Sequence, residues 1–203
     1  MIKKKLIKNA KKIDQFLIKF LKKQQLSLLV KPMKYGIISG GKKIRSTIIF
    51  DVGKIFNISE KKLINICAAV ECIHSYSLIH DDLPCMDNDT IRRGKPATHI
   101  KFGEASAVLA GSSLLTLAFE IIADKKYLLS PKAKNEIIKS LASCAGHTGI
   151  AEGQELDLKF ENKKKEIYQI INMQKKKTGK LFNFCLYAVG VVAKKNTKQK
   201  LFL

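Results

Sequence analysis

Apolar residues recur at three- and four-residue intervals along most of the chain, which is the spacing of amphipathic α-helices. This pattern predicts helices over 6–29, 44–56, 61–82, 104–124, 130–156 and 167–193. Pro32 and the glycine-containing stretch 36–41 should break the chain after the first helix, and Gly179 should interrupt the last one. No segment shows the two-residue period of a strand. We therefore expect an all-α helical bundle in which residues 1–203 form a single domain.

The helix over 61–82 is apolar on nearly all sides, so it should lie at the centre of the bundle. Pro84 should end it within a residue or two. Its polar exceptions, His74, Ser77 and Asp81, are three and four residues apart and share one stripe of the helix. A polar stripe on a buried helix lines a cavity or a hydrogen-bonded network.

The composition is globular, with 46% hydrophobic and 27% charged residues in 203 positions. The formal charge of +21 raises the possibility of a polyanionic partner such as nucleic acid. The lysines, however, are scattered from Lys3 to Lys200, and no aromatic residues interleave with them as a nucleic-acid site would require. We interpret the charge as lysine on every solvated surface and expect no nucleic-acid partner.

Arginine is rare in this lysine-rich chain. Only three of the 38 basic residues are arginine: Arg45, Arg92 and Arg93. The planar guanidinium grips phosphate or carboxylate with two parallel hydrogen bonds, which lysine cannot do. These three positions are therefore candidate phosphate ligands.

The cysteines and the first residues bear on the cellular compartment. The five cysteines show no CxxC spacing, which favours reduced and mostly buried thiols. Residues 1–14 are basic but lack the continuous apolar segment of a signal peptide. No stretch approaches the ~20 apolar residues of a membrane span. We expect a soluble, cytoplasmic protein.

Four of the eight aspartates lie close together, at Asp81, Asp82, Asp87 and Asp89. Two carboxylates about 4 Å apart repel by roughly 4 kcal/mol at an effective dielectric of 20, so a cation should offset them. Hard oxygen ligands suit Mg²⁺, which binds through one or two carboxylates and bridges to substrate phosphates. A solvated acidic loop is the alternative, and the adjoining Arg92 and Arg93 favour the phosphate-binding interpretation.

The sequence Gly-Gly-Lys-Lys-Ile-Arg at 40–45 enters a predicted helix. A helix start is a ready anion site, and Lys42 and Arg45 are spaced to meet on its first turn. Residues 36–42 also fit the GxxxxGK of a P-loop. Lys43, however, occupies the position where a P-loop needs Ser or Thr, and no strand precedes it, so the P-loop is excluded.

Together these elements resemble the trans-isoprenyl diphosphate synthase family. Residues 40–45 are similar to the family's GGKRxR element, with Lys43 in place of the usual arginine, and residues 71–87 are similar to its first aspartate-rich motif. Four shorter elements follow in the family's order: Arg-Arg-Gly (92–94), Lys-Phe-Gly-Glu-Ala (101–105), Gly-Gln-Glu-Leu-Asp-Leu (153–158) and Lys-Thr-Gly-Lys-Leu (177–181).

The resemblance implies a role for each matching position. Asp81 and Asp87 would bind Mg²⁺, with Asp82 as a less certain helper. The ligands of the allylic diphosphate would be Arg92, Lys177 and Thr178. The ligands of isopentenyl diphosphate would be Gly41, Lys42, Arg45, His74 and Arg93. Gln154 would lie near the reacting carbons, and the catalytic set would be Asp81, Asp87, Lys177 and Gln154.

The implied reaction is head-to-tail prenyl transfer in an apolar, water-excluding helical barrel. Tyr76 lies five residues before Asp81, deeper along the same helix. In the family that the chain resembles, an aromatic residue near this position forms the bottom of the product pocket. We therefore expect the C15 product farnesyl diphosphate, with the C10 product geranyl diphosphate as the alternative. The resemblance also implies a homodimer.

One family element has no counterpart here. The second aspartate-rich motif, FQxxDDxxD, is not found, and no aspartate follows Asp157. We expect a bundle that lacks the family's C-terminal helices and ends, at 200–203, within what should be helical structure. A non-catalytic or truncated synthase subunit is therefore an alternative to an active enzyme.

Overall fold

A computed structural model describes residues 2–24, 26–38, 40–196 and 199. The chain divides into two compact units, residues 1–127 and 128–203. The expectation that the chain forms a single domain stays a prediction, and the expected helical end at 200–203 lies outside the described residues.

The N-terminal unit contains six helices and a small hairpin. Its helices are α1 (Ile2–Lys22), α2 (Val30–Ile38), α3 (Ile44–Ile55), α4 (Ile64–Asp81), α5 (Thr98–Phe102) and α6 (Glu104–Ala123). A 3₁₀ turn, Glu60–Lys62, precedes α4. The expected all-α class is confirmed, since the two-residue strands of the hairpin are the small exception among the described residues.

Helix α4 is the centre of this unit, as its apolar sequence predicts. Ile66, Val70 and Ile73 have no exposed surface, and the polar Glu71 is also buried. The carboxylate of Glu71 accepts a hydrogen bond from Ser46 Oγ on α3 at 2.7 Å, which satisfies it in the core. Helix α4 ends at Asp81, three residues before Pro84, as predicted.

The hairpin consists of β1 (Ile91–Arg92) and β2 (Lys95–Pro96), paired Ile91 to Pro96 and Arg92 to Lys95. The two residues between the strands, Arg93 and Gly94, both have positive φ, at 54° and 72°. Positive φ at both positions is typical of a type I′ turn, which matches the twist of a two-residue hairpin. The sequence pattern predicted only a loop here, because strands of two residues show no periodicity.

The C-terminal unit contains α7 (Pro131–Ala145), α8 (Ile150–Phe160), α9 (Ile167–Gln174) and α10 (Lys180–Val192). Ser130 caps α7, since its side chain accepts a hydrogen bond from the amide of Ala133 at 3.3 Å. A π-helical turn, Lys175–Gly179, joins α9 to α10, so the interruption predicted at Gly179 is confirmed.

The largest differences from the sequence prediction concern the end of the first helix, the segment around Pro32 and the helix predicted over 130–156. The first helix ends at Lys22, and α2 forms in the segment that Pro32 was expected to break. Pro32 is the third residue of α2, where a missing amide donor costs no hydrogen bond. The helix predicted over 130–156 is two helices, because Gly146 and Gly149 leave the helical conformation between them.

The expectation that no apolar stretch has the length of a membrane span is wrong for helix α6. Among the described residues it is long and apolar enough to cross a membrane, by length and composition, but 44% of its apolar window is buried inside the protein. Leu114, Ala118 and Ile121 on its inner face are completely buried. A core helix of a globular unit accounts for this composition. The five cysteines are free thiols, and all but Cys85 are buried, as expected.

Candidate active site

The aspartate-rich segment turns back onto the end of α4. The amide of Asp87 donates to the carbonyl of Asp81 at 2.9 Å, and the amide of Asn88 donates to the carbonyl of Leu83 at 3.1 Å. Asp81 and Asp82 are buried, at 9% and 2% exposure, whereas Asp87 lies on the surface. The fold thereby brings Asp87 back to Asp81 across five intervening residues.

Arg92 on β1 is held by two of these carboxylates. Its Nε donates to Asp82 Oδ1 at 2.8 Å, and its Nη2 donates to the same oxygen and to Asp89 Oδ2, the latter at 2.9 Å. Burial raises the pKa of Asp82, and the hydrogen bonds from Arg92 oppose that effect. The hydrogen bond to Asp82 raises the pKa of Arg92 in turn, so the guanidinium stays charged.

The carboxylates at this position have the chemistry of ligands that Mg²⁺ prefers. Among the residues that the structure describes, no group of three or more His, Cys, Asp or Glu side chains gathers closely enough to hold a metal by itself. Magnesium does not require such a group, since it takes one or two carboxylates and fills its other positions with water and phosphate oxygens. Asp81 and Asp87, joined through a backbone hydrogen bond, are the residues that would supply hard oxygen ligands of that kind.

A second group of residues surrounds the glycines before α3. Gly40 and Gly41 have φ values of 101° and 103°, a conformation that favours glycine. Arg93 Nη1 donates to the carbonyl of Gly40 at 2.5 Å. Lys42 is exposed and has no ion-pair partner within the described ranges, so its ammonium is available for an anion. Helix α3 begins at Ile44, so Lys42 lies before the first helical turn rather than on it, contrary to expectation.

His74 on α4 lies close enough to the cations around the glycine loop for their charges to affect its pKa. Burial is the largest cause that lowers its pKa to about 3, and the positive charges of Arg45, Arg93, Lys43 and Arg92 contribute to the same shift. The imidazole is therefore neutral at physiological pH and offers one hydrogen-bond donor without adding charge. Lys42, Arg45 and Arg93, with His74 as a neutral donor, are groups that could bind an anion such as a phosphate.

The two groups share a small cavity. Asp82, Arg92 and Arg93 all line it, together with Tyr35, Leu78 and Thr98. Arg92 and Arg93 are adjacent in sequence but contact different elements, since Arg92 bonds to the aspartates and Arg93 to the glycine loop. Their separation arises because Arg92 is in a strand and Arg93 in the hairpin turn.

Tyr76 lies in the core on α4, with 8% exposure. Its ring meets the ring of His80 edge to face, with centroids 5.7 Å apart. His80 Nε2 in turn lies 3.1 Å from the carbonyl of Val108 on α6. Tyr76 is therefore a buried aromatic residue of α4 that packs against His80, and His80 in turn contacts α6.

In the C-terminal unit, Lys177 and Thr178 lie on the π-helical turn. Lys177 forms an ion pair with Asp157 on α8, and Thr178 Oγ1 donates to Gln174 Oε1 at 3.4 Å. A β-carbon on Gly153 would lie 2.2 Å from the amide nitrogen of Lys177, so only glycine permits this approach of α8 to the turn. Gln154, the next residue on α8, is buried with 7% exposure. Such π-turns are often found at functional sites.

The structure thus brings together Asp81, Asp82, Asp87 and Arg92 at the end of α4, and the residues predicted to bind isopentenyl diphosphate around the glycine loop. Lys177, Thr178 and Gln154 belong to the other unit. Sequence reasoning did not separate the two lysines of the loop: Lys42 is exposed and Lys43 is 6% exposed. It also did not assign Asp89 to Arg92. Neither the burial of Lys43 nor the pairing of Asp89 with Arg92 has a periodic signal in the sequence.

Comparison with known proteins defines the class of the chain. The polyprenyl synthetase family model matches residues 26–202, so the chain belongs to that family. It is 46% identical over 154 residues to the farnesyl diphosphate synthase of Escherichia coli, and 43% identical over 166 residues to that of Bacillus subtilis. These alignments cover 75% and 81% of this chain and 52% and 56% of the relatives. The chain therefore spans about half the length of the curated relatives it matches.

Solved structures give the same result for the fold. A farnesyl and geranylfarnesyl diphosphate synthase from Zymomonas mobilis superposes with a TM-score of 0.90 at 38% identity, covering 98% of this chain and 73% of the other. A geranyltransferase from Legionella pneumophila superposes with a TM-score of 0.91 at 32% identity, covering 100% and 72%. The isoprenoid-synthase-type helical fold expected from the sequence is confirmed.

Proposed function

We propose that this chain is a prenyltransferase that condenses isopentenyl diphosphate with dimethylallyl or geranyl diphosphate to give farnesyl diphosphate. The observation that carries the proposal is the pairing, in one unit, of an aspartate–arginine cluster at the end of α4 with a separate cationic loop around Gly41. Two anion sites suit two diphosphate substrates. The relatives named farnesyl diphosphate synthase support the choice of product.

Each cluster is proposed to bind one substrate. Arg92 binds the allylic diphosphate, while Lys42, Arg45 and Arg93 bind isopentenyl diphosphate with His74 as a neutral donor. In the C-terminal unit, Lys177 and Thr178 are the proposed diphosphate ligands. Asp81 and Asp87 would hold Mg²⁺, which when bound supplies positive charge to the leaving diphosphate. The arginine and lysine side chains stabilise the same developing charge. The buried face of α4 keeps water from the carbon centre at which the new bond forms.

The second cluster distinguishes this function from same-fold alternatives. An enzyme that cyclises an allylic diphosphate uses one diphosphate and would have no need of cations around Gly41. The neutral His74 near the charges of Arg45 and Arg93 supports a second anion site that the first cluster does not account for. We therefore favour transfer between two diphosphates.

The proposal is tested by incubating the chain with Mg²⁺, labelled isopentenyl diphosphate and geranyl diphosphate, and by measuring both binding and product. Label recovered in a C15 alcohol after phosphatase treatment supports the proposal. Label in a C10 alcohol, with dimethylallyl diphosphate as co-substrate and no C15 product, identifies a geranyl diphosphate synthase instead. Binding of both substrates without turnover identifies a non-catalytic subunit, and binding of neither contradicts the proposal.

We also propose that the protein acts as a cytoplasmic homodimer in which a second copy covers the outer face of α6. Val108 and Leu109 on this face are 42% and 53% exposed. Within a chain of charge +21, α6 carries no lysine or arginine. Light scattering should give twice the chain mass, and Leu109→Lys should give a monomer. A native monomer would contradict the dimer without affecting the proposed chemistry.

A further inference from the structure

Lys43 lies in the middle of the cationic loop but faces away from solvent. Its side chain is 3% exposed, whereas its neighbour Lys42 is on the surface. A buried ammonium requires compensation, because an isolated charge in the protein interior is strongly unfavourable. The compensation comes from two groups on different helices.

The first group is the carbonyl of Ile37 on α2, which accepts a hydrogen bond from Lys43 Nζ at 3.1 Å. The second is the carboxylate of Asp14 on α1, whose Oδ1 lies 3.2 Å from the same nitrogen. Because Lys43 immediately precedes α3, one ammonium connects the ends or sides of three helices. Asn9 Nδ2 on α1 also donates to Thr47 Oγ1 on α3, at 3.2 Å, so the start of α3 is fixed to α1 at two points.

The backbone at Lys43 is in the left-handed region, with φ 44° and ψ 51°. Residues with a β-carbon rarely adopt this conformation, and it persists where surrounding contacts enforce it. Gly40 and Gly41, just before it, also have positive φ. The path of the loop therefore depends on an unfavourable conformation that the buried side chain of Lys43 holds in place.

We propose that the Lys43–Asp14 ion pair is a positioning device for the isopentenyl diphosphate site. The pair fixes the loop so that Gly41, Lys42 and Arg45 face the anion, while Lys43 itself contacts no substrate. The two lysines thus have different roles: Lys42 is a ligand and Lys43 an anchor. This inference rests on the proposed function, since it names the residues that shape one of its two substrate sites.

The test measures binding of isopentenyl diphosphate and of geranyl diphosphate with Mg²⁺ by calorimetry, in the native chain and in four variants. Asp14→Asn and Lys43→Met break the pair, Lys43→Arg retains a cation of similar reach, and Glu60→Gln breaks the ion pair of Glu60 with Lys12 on α1 as a matched control. Thermal unfolding verifies that each variant is folded. Amide hydrogen exchange over 40–45 reports on the loop without any ligand.

Asp14→Asn and Lys43→Met should weaken isopentenyl diphosphate binding roughly tenfold, the order expected when a charged hydrogen bond is misplaced. Geranyl diphosphate binding should change less than about twofold, because its ligands lie outside the loop. The two variants should also exchange faster over 40–45. Lys43→Arg should restore both properties, and Glu60→Gln should alter neither.

Unchanged affinity and unchanged exchange in Asp14→Asn would overturn the inference. Equal effects of Asp14→Asn and Glu60→Gln on both ligands would also overturn it, since they would indicate general loosening of α1. If the native chain binds neither diphosphate, the proposed function fails. The exchange measurements then still decide whether the pair positions the loop.

Discussion

Gly41 lies against the guanidinium of Arg93. A β-carbon on Gly41 would be 2.7 Å from both Cζ and Nη1 of that arginine. Glycine at this position therefore serves two purposes, since it adopts a φ of 103° and leaves room for the cation. The relationship connects the loop before α3 to the hairpin turn, two segments that are 52 residues apart in the sequence.

Gly41→Ala should therefore displace Arg93 and weaken isopentenyl diphosphate binding by at least about tenfold, as expected for loss of a charged hydrogen bond to phosphate. Gly40→Ala is the matched control, because Gly40 has a similar φ of 101° but no atom within 4 Å of its would-be β-carbon. It should share the backbone strain and leave affinity within about threefold. Calorimetry measures both. Equal losses in the two variants would show that strain, and not the contact with Arg93, determines the effect.

Acidification should destabilise the protein through His74. The pKa of this group is about 3 in the folded protein, whereas an unfolded histidine titrates near 6.5, so the unfolded chain binds more protons between these values. The free energy of unfolding should fall as the pH decreases through 6.5, by about 1–2 kcal/mol from this group by pH 5. His74→Gln should show a correspondingly shallower dependence in urea unfolding measured at pH 7 and pH 5. Identical slopes would indicate that His74 is protonated normally in the folded protein.

Because Gly153 lies so close to Lys177, we expect that adding one methyl group at Gly153 lowers the stability of the protein. Gly153→Ala would place a β-carbon 2.2 Å from backbone nitrogen and 2.4 Å from the Cα of Lys177, so either α8 or the π-helical turn must move. We expect about 1–3 kcal/mol of destabilisation, typical of overpacking. Gly179→Ala, at the end of the same turn, meets no atom closer than 3.8 Å and has a helical φ of −62°. It should be neutral or stabilising by up to about 1 kcal/mol in chemical denaturation.

Tyr76 should limit the length of the product. Tyr76→Ala removes a buried ring of α4, and in an active form of the protein it should shift the product from C15 towards C20 or longer. Tyr76→Phe keeps the ring and should leave the product at C15. Chromatography of the dephosphorylated products distinguishes these outcomes. An unchanged product in Tyr76→Ala would remove the tyrosine from the product pocket.

Periodicity was sufficient to predict the long helices, since α3, α4 and α6 each bury a continuous apolar surface. It failed where the structure depends on contacts between distant segments. Helix α2 contains Pro32 but is stabilised by packing, and the break between α7 and α8 depends on backbone conformations at Gly146 and Gly149. Helix α5 has only five residues, too few for a periodic signal.

The candidate site also contains some features that the sequence predicts and others that depend on tertiary contacts. Asp81, Asp87, Arg45 and Arg92 stand out in the sequence because their residue types are rare or clustered. The pairing of Arg92 with Asp82, and the burial of Lys43 beside the exposed Lys42, are consequences of a hairpin turn and a left-handed residue. Such features follow from tertiary packing and have no counterpart in residue spacing.

The central claim is that Asp81 and Asp87 couple magnesium to the binding of an allylic diphosphate. Its most direct test is the affinity of the chain for geranyl diphosphate, measured by calorimetry with Mg²⁺ and again with a chelator. Mg²⁺ should tighten binding in the native chain and in Asp51→Asn, an aspartate of α3 outside the cluster, and this gain should disappear in Asp81→Asn and Asp87→Asn. A native affinity that does not depend on Mg²⁺ would contradict the claim.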